Sequence, residues 1–255
     1  MNKEIKSFKK EALQVQIYNT EEVMGIAAAA FVSNHLQKAI QIKGTANLIL
    51  GTGASQFSFL NALKNLPLEW KKITVFHLDE YKGLSDQHPA SFRKYLKERI
   101  LDIVKPGKVY LINGDAEDLE KMIKEYESLL TTHPIDVACI GIGENGHIAF
   151  NDPAVANFND PRLVKVVELD HACRMQQLGE GWFPTFDDVP KEAISLTIPA
   201  IMNCKTISCF VPDTRKSTAV YNTLNGEIST TCPASILRKH PDALLFLDRQ
   251  AASLI

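Results

Sequence analysis

Short apolar runs alternate with longer amphipathic stretches along most of the chain, and that alternation decides the fold class. Runs at 48–50, 73–78, 109–111 and 136–142 read as strands, with further ones at 193–197, 206–211 and 243–247. Helical patterns lie between them. One starts at Asn19 or Thr20, with Glu21 and Glu22 in its first turn, and carries apolar residues at helical spacing over 23–42. Others begin near Ser55, run over about 89–103 and span about 115–130. Strands separated by helices imply βαβ units, because parallel neighbours cannot be joined by a tight turn. The expected fold is therefore α/β: a mostly parallel open sheet with helices on both faces, a Rossmann-like three-layer arrangement. A chain of 255 residues suits one large domain, and no repeat, low-complexity tract or Gly/Ser linker divides it. Residues 1–255 are expected to form a single domain.

Charge and cysteine usage narrow the function classes. A formal net charge of -2 gives no electrostatic reason to bind nucleic acid or an anionic membrane. The opening Met1-Asn2-Lys3-Glu4-Ile5-Lys6 is polar and lacks the apolar centre of a signal peptide, and no apolar stretch approaches the roughly 20 residues that span a bilayer. The five cysteines (Cys139, Cys173, Cys204, Cys209, Cys232) are odd in number, scattered and without a C-x-x-C pair. Neither a zinc site nor a disulfide framework is expected, and the reading is a reduced, cytoplasmic protein.

Chemistry concentrates in loops that follow strands, where open α/β sheets place their ligands. Gly51-Thr52-Gly53-Ala54-Ser55-Gln56 offers backbone N–H groups and hydroxyls to an anion, or is simply a tight turn between strand and helix. It is neither a Walker A loop nor a full Gly-x-Gly-x-x-Gly. Asp79-Glu80 follows the 73–78 run: one carboxylate as general base with the other as its orienter, or a solvated acidic turn. His88-Pro89-Ala90-Ser91 supplies polar groups or a helix cap. The densest loop is Gly141-Ile142-Gly143-Glu144-Asn145-Gly146-His147, continuing to Asn151-Asp152-Pro153. A lone histidine is commonly structural, but His147 has Asn145 two before it and Asp152 five after, a setting for proton transfer near neutral pH. Asp213-Thr214-Arg215-Lys216 is either a solvated basic turn or the carrier of a phosphate-pairing lysine.

Taken together, these motifs resemble one family: the glucosamine-6-phosphate deaminases, also called isomerases, within a group that includes the 6-phosphogluconolactonases. The likeness runs from about residue 48 to 248. It is most specific at Leu78-Asp79-Glu80-Tyr81 with Gly83-Leu84, at His88-Pro89-Ala90-Ser91 and at Gly146-His147-Ile148-Ala149-Phe150-Asn151-Asp152-Pro153. Residues 211–226 with Lys216, and His240-Pro241-Asp242-Ala243, also look like the deaminase pattern. Lactonases typically read Asp-Glu-Arg at the first motif and Gly-His-Thr-Ala-Ser at the third, so Tyr81 and Ile148-Ala149-Phe150-Asn151 place the chain on the amino-sugar side.

The resemblance implies aldose–ketose isomerisation and deamination of a hexosamine 6-phosphate, glucosamine 6-phosphate giving fructose 6-phosphate and ammonia, without metal or organic cofactor. Asp79 matches the base that takes the C2 proton and returns one to C1. His147 matches the histidine that opens the sugar ring. Asp152, where the family usually has glutamate, is expected to orient and charge-balance His147. Gly51, Thr52, Gly53, Ala54 and Ser55 match the phosphate loop and Lys216 the phosphate lysine, with Glu80 grouped among the substrate-binding residues. Asn145 stands where many members carry aspartate. An asparagine can hydrogen-bond an imidazole but cannot stabilise imidazolium by charge, so slower ring opening, or one suited to a differently oriented hydroxyl, is expected. The family places a phosphate-binding arginine in a mobile lid at about 170–186. Arg174 falls about one helical turn before that position, which Gln177 holds, and Arg174 is expected to bind the phosphate by way of a shifted backbone. Gly179 and Gly181 are the expected hinges. Allosteric hexamers of the family carry a longer C-terminal segment than one ending at Ile255, so a monomer or small homo-oligomer is expected. Galactosamine 6-phosphate, which differs only at the C4 hydroxyl, stays open as substrate. Lactone hydrolysis and a non-catalytic sugar-phosphate sensor are the readings from other classes.

Overall fold

In a computed structural model of the chain, which describes residues 4–255, strand order alone creates a cleft. Residues 1–3, part of the polar opening read against a signal peptide, lie outside the described residues. The main sheet runs β1 (Lys6–Lys10), β2 (Leu13–Tyr18), β11 (Ala243–Asp248), β10 (Thr206–Val211), β7 (Val137–Ile140), β3 (Ala46–Leu50), β4 (Ile73–His77), β6 (Lys108–Tyr110). Every pairing from β2 across to β6 is parallel, and only β1 on β2 is antiparallel. From β3 the chain builds outward to β4 and β6. It then returns to lay β7 on the other side of β3, and builds away through β10 and β11. The reversal leaves a crevice between the carboxyl ends of β3 and β7, the place where such sheets bind ligands.

Both faces are covered, so β3, β4, β7, β10 and β11 are buried along their whole length. That is why they read as unbroken apolar runs rather than alternating ones. Successive side chains still point to opposite faces. Leu48 and Leu50 pack in the core formed with α1 (Glu21–Lys43), α2 (Phe57–Leu63) and α3 (Phe92–Leu96), whereas Ile49 packs in the one shared by α5 (Leu119–Thr132), α7 (Ile198–Met202) and α8 (Ser217–Asn225). Thr20 caps α1 by accepting from the Val23 N–H at 3.3 Å, and Gly44, at φ 82°, ends it. Ser91 caps α3, so 88–91 is the lead-in to a helix; α3 continues through a π turn (Lys97–Leu101) into α4 (Asp102–Val104). No helix among the described residues is long and apolar enough to cross a membrane.

A second sheet departs from expectation. At Leu78 the chain leaves the main sheet, and Asp79–Tyr81 forms β5, antiparallel to β9 (Glu192–Leu196), which pairs with β8 (Val164–Glu168). The expected run 73–78 is cut at His77, and the expected strand at 193–197 lies here rather than in the parallel sheet. Beside these strands α6 (His171–Gly179), capped by Asp170, packs with Tyr81, Phe92, Phe150 and Phe183 around a small separate core.

Candidate active site

The crevice is lined from four strand ends: Gly51, Thr52, Gly53 and Ser55 after β3, Leu78 and Asp79 after β4, Gly141, Gly143 and His147 after β7, and Lys216 after β10. Gln176, Gln177 and Glu180, from α6 and its C-cap, form the cover. Two glycines have identifiable reasons. Gly53 sits at φ 97°, where a side chain would strain the turn, and a Cβ on Gly143 would stand 2.1 Å from the His147 ring. The imidazole lies flat on the backbone of its own loop, which closes through the Gly143 N–H donating to His147 O at 2.9 Å.

His147 Nδ1 lies 2.7 Å from Asp152 Oδ1, and Asp152 is fully buried. Burial pushes the Asp152 carboxyl up, but His147, Asn145 and Cys173 outweigh it and hold the group below its ordinary value. The carboxylate therefore stays charged and fixes the ring, leaving Nε2 as the nitrogen available to a ligand. Asn145 does not touch the imidazole. Its Nδ2 donates to Asp152 Oδ1 at 2.8 Å, and its Oδ1 accepts from the His147 backbone N–H at 3.0 Å. The expected asparagine–imidazole contact is replaced by one step of remove: Asn145 holds Asp152, and Asp152 holds the ring.

The adjacent carboxylates have opposite fates, because successive strand residues face opposite ways. Asp79 faces the crevice, 6% exposed, and burial reinforced by the Glu80 charge pushes its pKa up to about 8. A carboxylate so destabilised is a stronger base than a solvated one. Glu80 is not among the pocket-lining residues, contrary to its expected place beside the substrate. It is wholly buried, accepting from the N–H groups of Tyr81, Phe92 and Arg93 and from the Ser91 hydroxyl at 2.9–3.1 Å. It anchors the start of α3, and with it the strand that presents Asp79.

Lys216 is buried and lines the same pocket, and desolvation lowers its pKa. The turn before it includes Asp213 at φ 84°, one of four non-glycine residues with positive φ among the described residues, and Ala149 in the pocket wall is another. Such strain collects at functional sites. Ala54 turns away from this pocket and lines a neighbouring one.

Arg174 is likewise not in the pocket wall. Its Nη2 donates to Phe186 O at 2.7 Å and Val189 O at 2.9 Å, and its guanidinium stacks 4.0 Å over the Phe186 ring. Those contacts tie α6 to residues 186–189 instead of offering the charge to a phosphate. Gln177 reaches the wall, and its Oε1 accepts from the Tyr81 hydroxyl at 2.6 Å. Sequence reasoning missed Glu180 and Gln176 in the cover; the glycines flanking Glu180 were the available signal. It also missed Cys173, whose thiol joins His147 and Asp152 in the one described group of metal-ligating type, all within 4.8 Å. Ligands about 2.0–2.1 Å from a tetrahedral zinc lie roughly 3.3 Å apart, so the 2.7 Å His147–Asp152 contact leaves no space for an ion between them.

Residues 19–246 match the family described as glucosamine-6-phosphate isomerases/6-phosphogluconolactonase. A glucosamine-6-phosphate deaminase of Streptococcus sanguinis is 36% identical over 225 residues, 88% of this chain and 93% of that protein. One from Bacillus cereus is 34% identical over 219 residues, covering 86% and 82%. A solved monomeric glucosamine-6-phosphate deaminase superposes with a TM-score of 0.87 at 33% identity, over 94% of this chain and 99% of that one. A 6-phosphogluconolactonase from Shewanella baltica, at 17% identity and a TM-score of 0.77, shares the fold. With the family's pattern matching residues 19–246 and curated relatives more than 30% identical over most of their length, this protein belongs to the glucosamine-6-phosphate isomerase/6-phosphogluconolactonase family.

Proposed function

We propose that the chain converts glucosamine 6-phosphate and water to fructose 6-phosphate and ammonia, acting as a monomer or small homo-oligomer in the cytoplasm. The observation that carries the reading is one crevice holding a desolvated carboxylate, Asp79, and an aspartate-held imidazole, His147, between a glycine loop and a buried lysine. The phosphate sits on the loop from Gly51 to Ser55 and against Lys216, which places the other end of the sugar toward Asp79 and His147. His147, its charge balanced by Asp152, moves a proton from the C1 hydroxyl to the ring oxygen, and the pyranose opens to the aldehyde. Asp79 removes the C2 proton to give an enolamine. A proton returned to C1 gives the 2-imine, water adds at C2, and ammonia leaves. The Tyr81–Gln177 bond and the buried Asn151, which donates to Ile148 O and Leu196 O at 2.8–2.9 Å, give structural roles to two of the residues that separate this chain from the lactonase pattern.

Ammonia release from glucosamine 6-phosphate and galactosamine 6-phosphate, run beside 6-phosphogluconolactone hydrolysis, tests the reading. Release from the first sugar, lost in Asp79→Asn, is the expected result. Release from the galactosamine sugar alone would reassign the substrate, and lactone hydrolysis alone would overturn the reaction class.

A further inference from the structure

The pocket contains a carboxylate that the reaction above does not use. Glu180 caps the C-terminus of α6 between Gly179 and Gly181, the latter at φ 81°. It lines the crevice with Lys216, and its charge acts on that lysine together with that of Glu144, which lies outside the pocket wall and acts more strongly. Its Oε2 lies 3.8 Å from the point where a Cβ on Gly53 would be, and Ser55 Oγ lies 3.9 Å from the same point. The carboxylate therefore stands over the glycine loop, held by Gln176, whose Nε2 donates to Oε1 at 3.3 Å. Lys216 has no carboxylate within 4.0 Å among the described residues, although it is buried. A phosphate dianion on this loop would enter the space beside the part-exposed Glu180, and like charges at close range repel.

We propose that Glu180 sets the affinity of the phosphate subsite: its carboxylate balances Lys216 while the loop is empty, and an arriving phosphate displaces it. The inference rests on reading the loop and Lys216 as the phosphate subsite. Rotation about Gly179 and Gly181 carries the side chain outward and releases Gln176. Because α6 also carries Gln177, bonded to Tyr81 on the strand that presents Asp79, phosphate arrival is felt at the reacting end. Phosphate affinity is thereby lowered in exchange for a mechanical link between binding and the cover.

The test is titration with inorganic phosphate at constant ionic strength, followed by calorimetry, on wild type, Glu180→Gln, Glu180→Ala and Lys216→Met. Both Glu180 variants are expected to bind phosphate about tenfold more tightly, with KM for the sugar phosphate falling in parallel. Lys216→Met is expected to lose phosphate binding. Binding that needs Lys216 but is unchanged or weaker in both Glu180 variants overturns the role of Glu180 alone. Binding indifferent to Lys216→Met overturns the subsite reading, and the role of Glu180 with it.

Discussion

The strand-end loops and the covering segment 170–188 share one pocket but are built differently. The loops are fixed by main-chain bonds to the sheet and to each other: Gly51 N–H to Cys139 O, Gly143 N–H to His147 O, Ala234 N–H to Gly146 O, all at 2.8–2.9 Å. The cover is tied to its surroundings largely through side chains: Arg174 to Phe186 and Val189, Tyr81 to Gln177, and Gln176 to the Glu144 N–H. Each such bond contributes about 0.5–1.5 kcal/mol net, and side-chain bonds can be exchanged without moving the backbone, so we propose the cover as the part of the site that rearranges. On the proposed function, the groups that meet a reacting atom, Asp79 and His147, belong to the strand-end loops, and Gln176, Gln177 and Glu180 belong to the cover.

The largest effect is expected at Asp79. Asp79→Asn should lower turnover roughly 10^3-fold and at the same time raise Tm. The folded-state pKa of about 8 lies above the unfolded value, so the folded protein holds the extra proton across that window and loses stability as pH rises through it. The Tm gain of the variant should therefore be larger at pH 9 than at pH 5; an equal gain at both would show that the carboxylate is not desolvated. A smaller effect is expected from Asn145→Asp, which replaces the donor facing Asp152 with a second acceptor. A drop in kcat/KM of about tenfold follows, and a rise would return Asn145 to a direct role on the imidazole. The smallest effect on ligand binding is expected from Arg174→Ala. It should lower Tm by a few degrees and speed proteolysis within 170–188, while phosphate affinity changes less than about threefold. A tenfold loss of phosphate affinity without destabilisation would make Arg174 a ligand and erase the distinction between frame and cover.

The same distinction explains what could be read in advance. The parallel sheet was legible because strands buried on both faces are continuous apolar runs, and its strand-end loops were legible because their glycines and polar groups cluster locally. The hairpin of β1 and β2 was missed: β1 carries Lys6, Lys9 and Lys10 on a half-exposed edge and shows no apolar run. β5 is three residues long and exists through pairing with distant β9, which no local pattern encodes. The opposite roles of Asp79 and Glu80 depend on that pairing, so sequence identified the pair as chemical but grouped Glu80 with the substrate. Arg174 was misplaced for a related reason. Its partners are backbone carbonyls 12 and 15 residues away, and a carbonyl has no signature in sequence.

The most direct measurement is an NMR titration of the aspartate carboxyl carbons in wild type and Asp79→Asn, beside the pH dependence of kcat/KM. One resonance is expected to titrate near pH 8, to be missing from the variant, and to share its midpoint with the rising limb of kcat/KM. If every aspartate instead titrates in the ordinary carboxylate range, Asp79 is a solvated surface charge, and the crevice does not contain the base assigned to it.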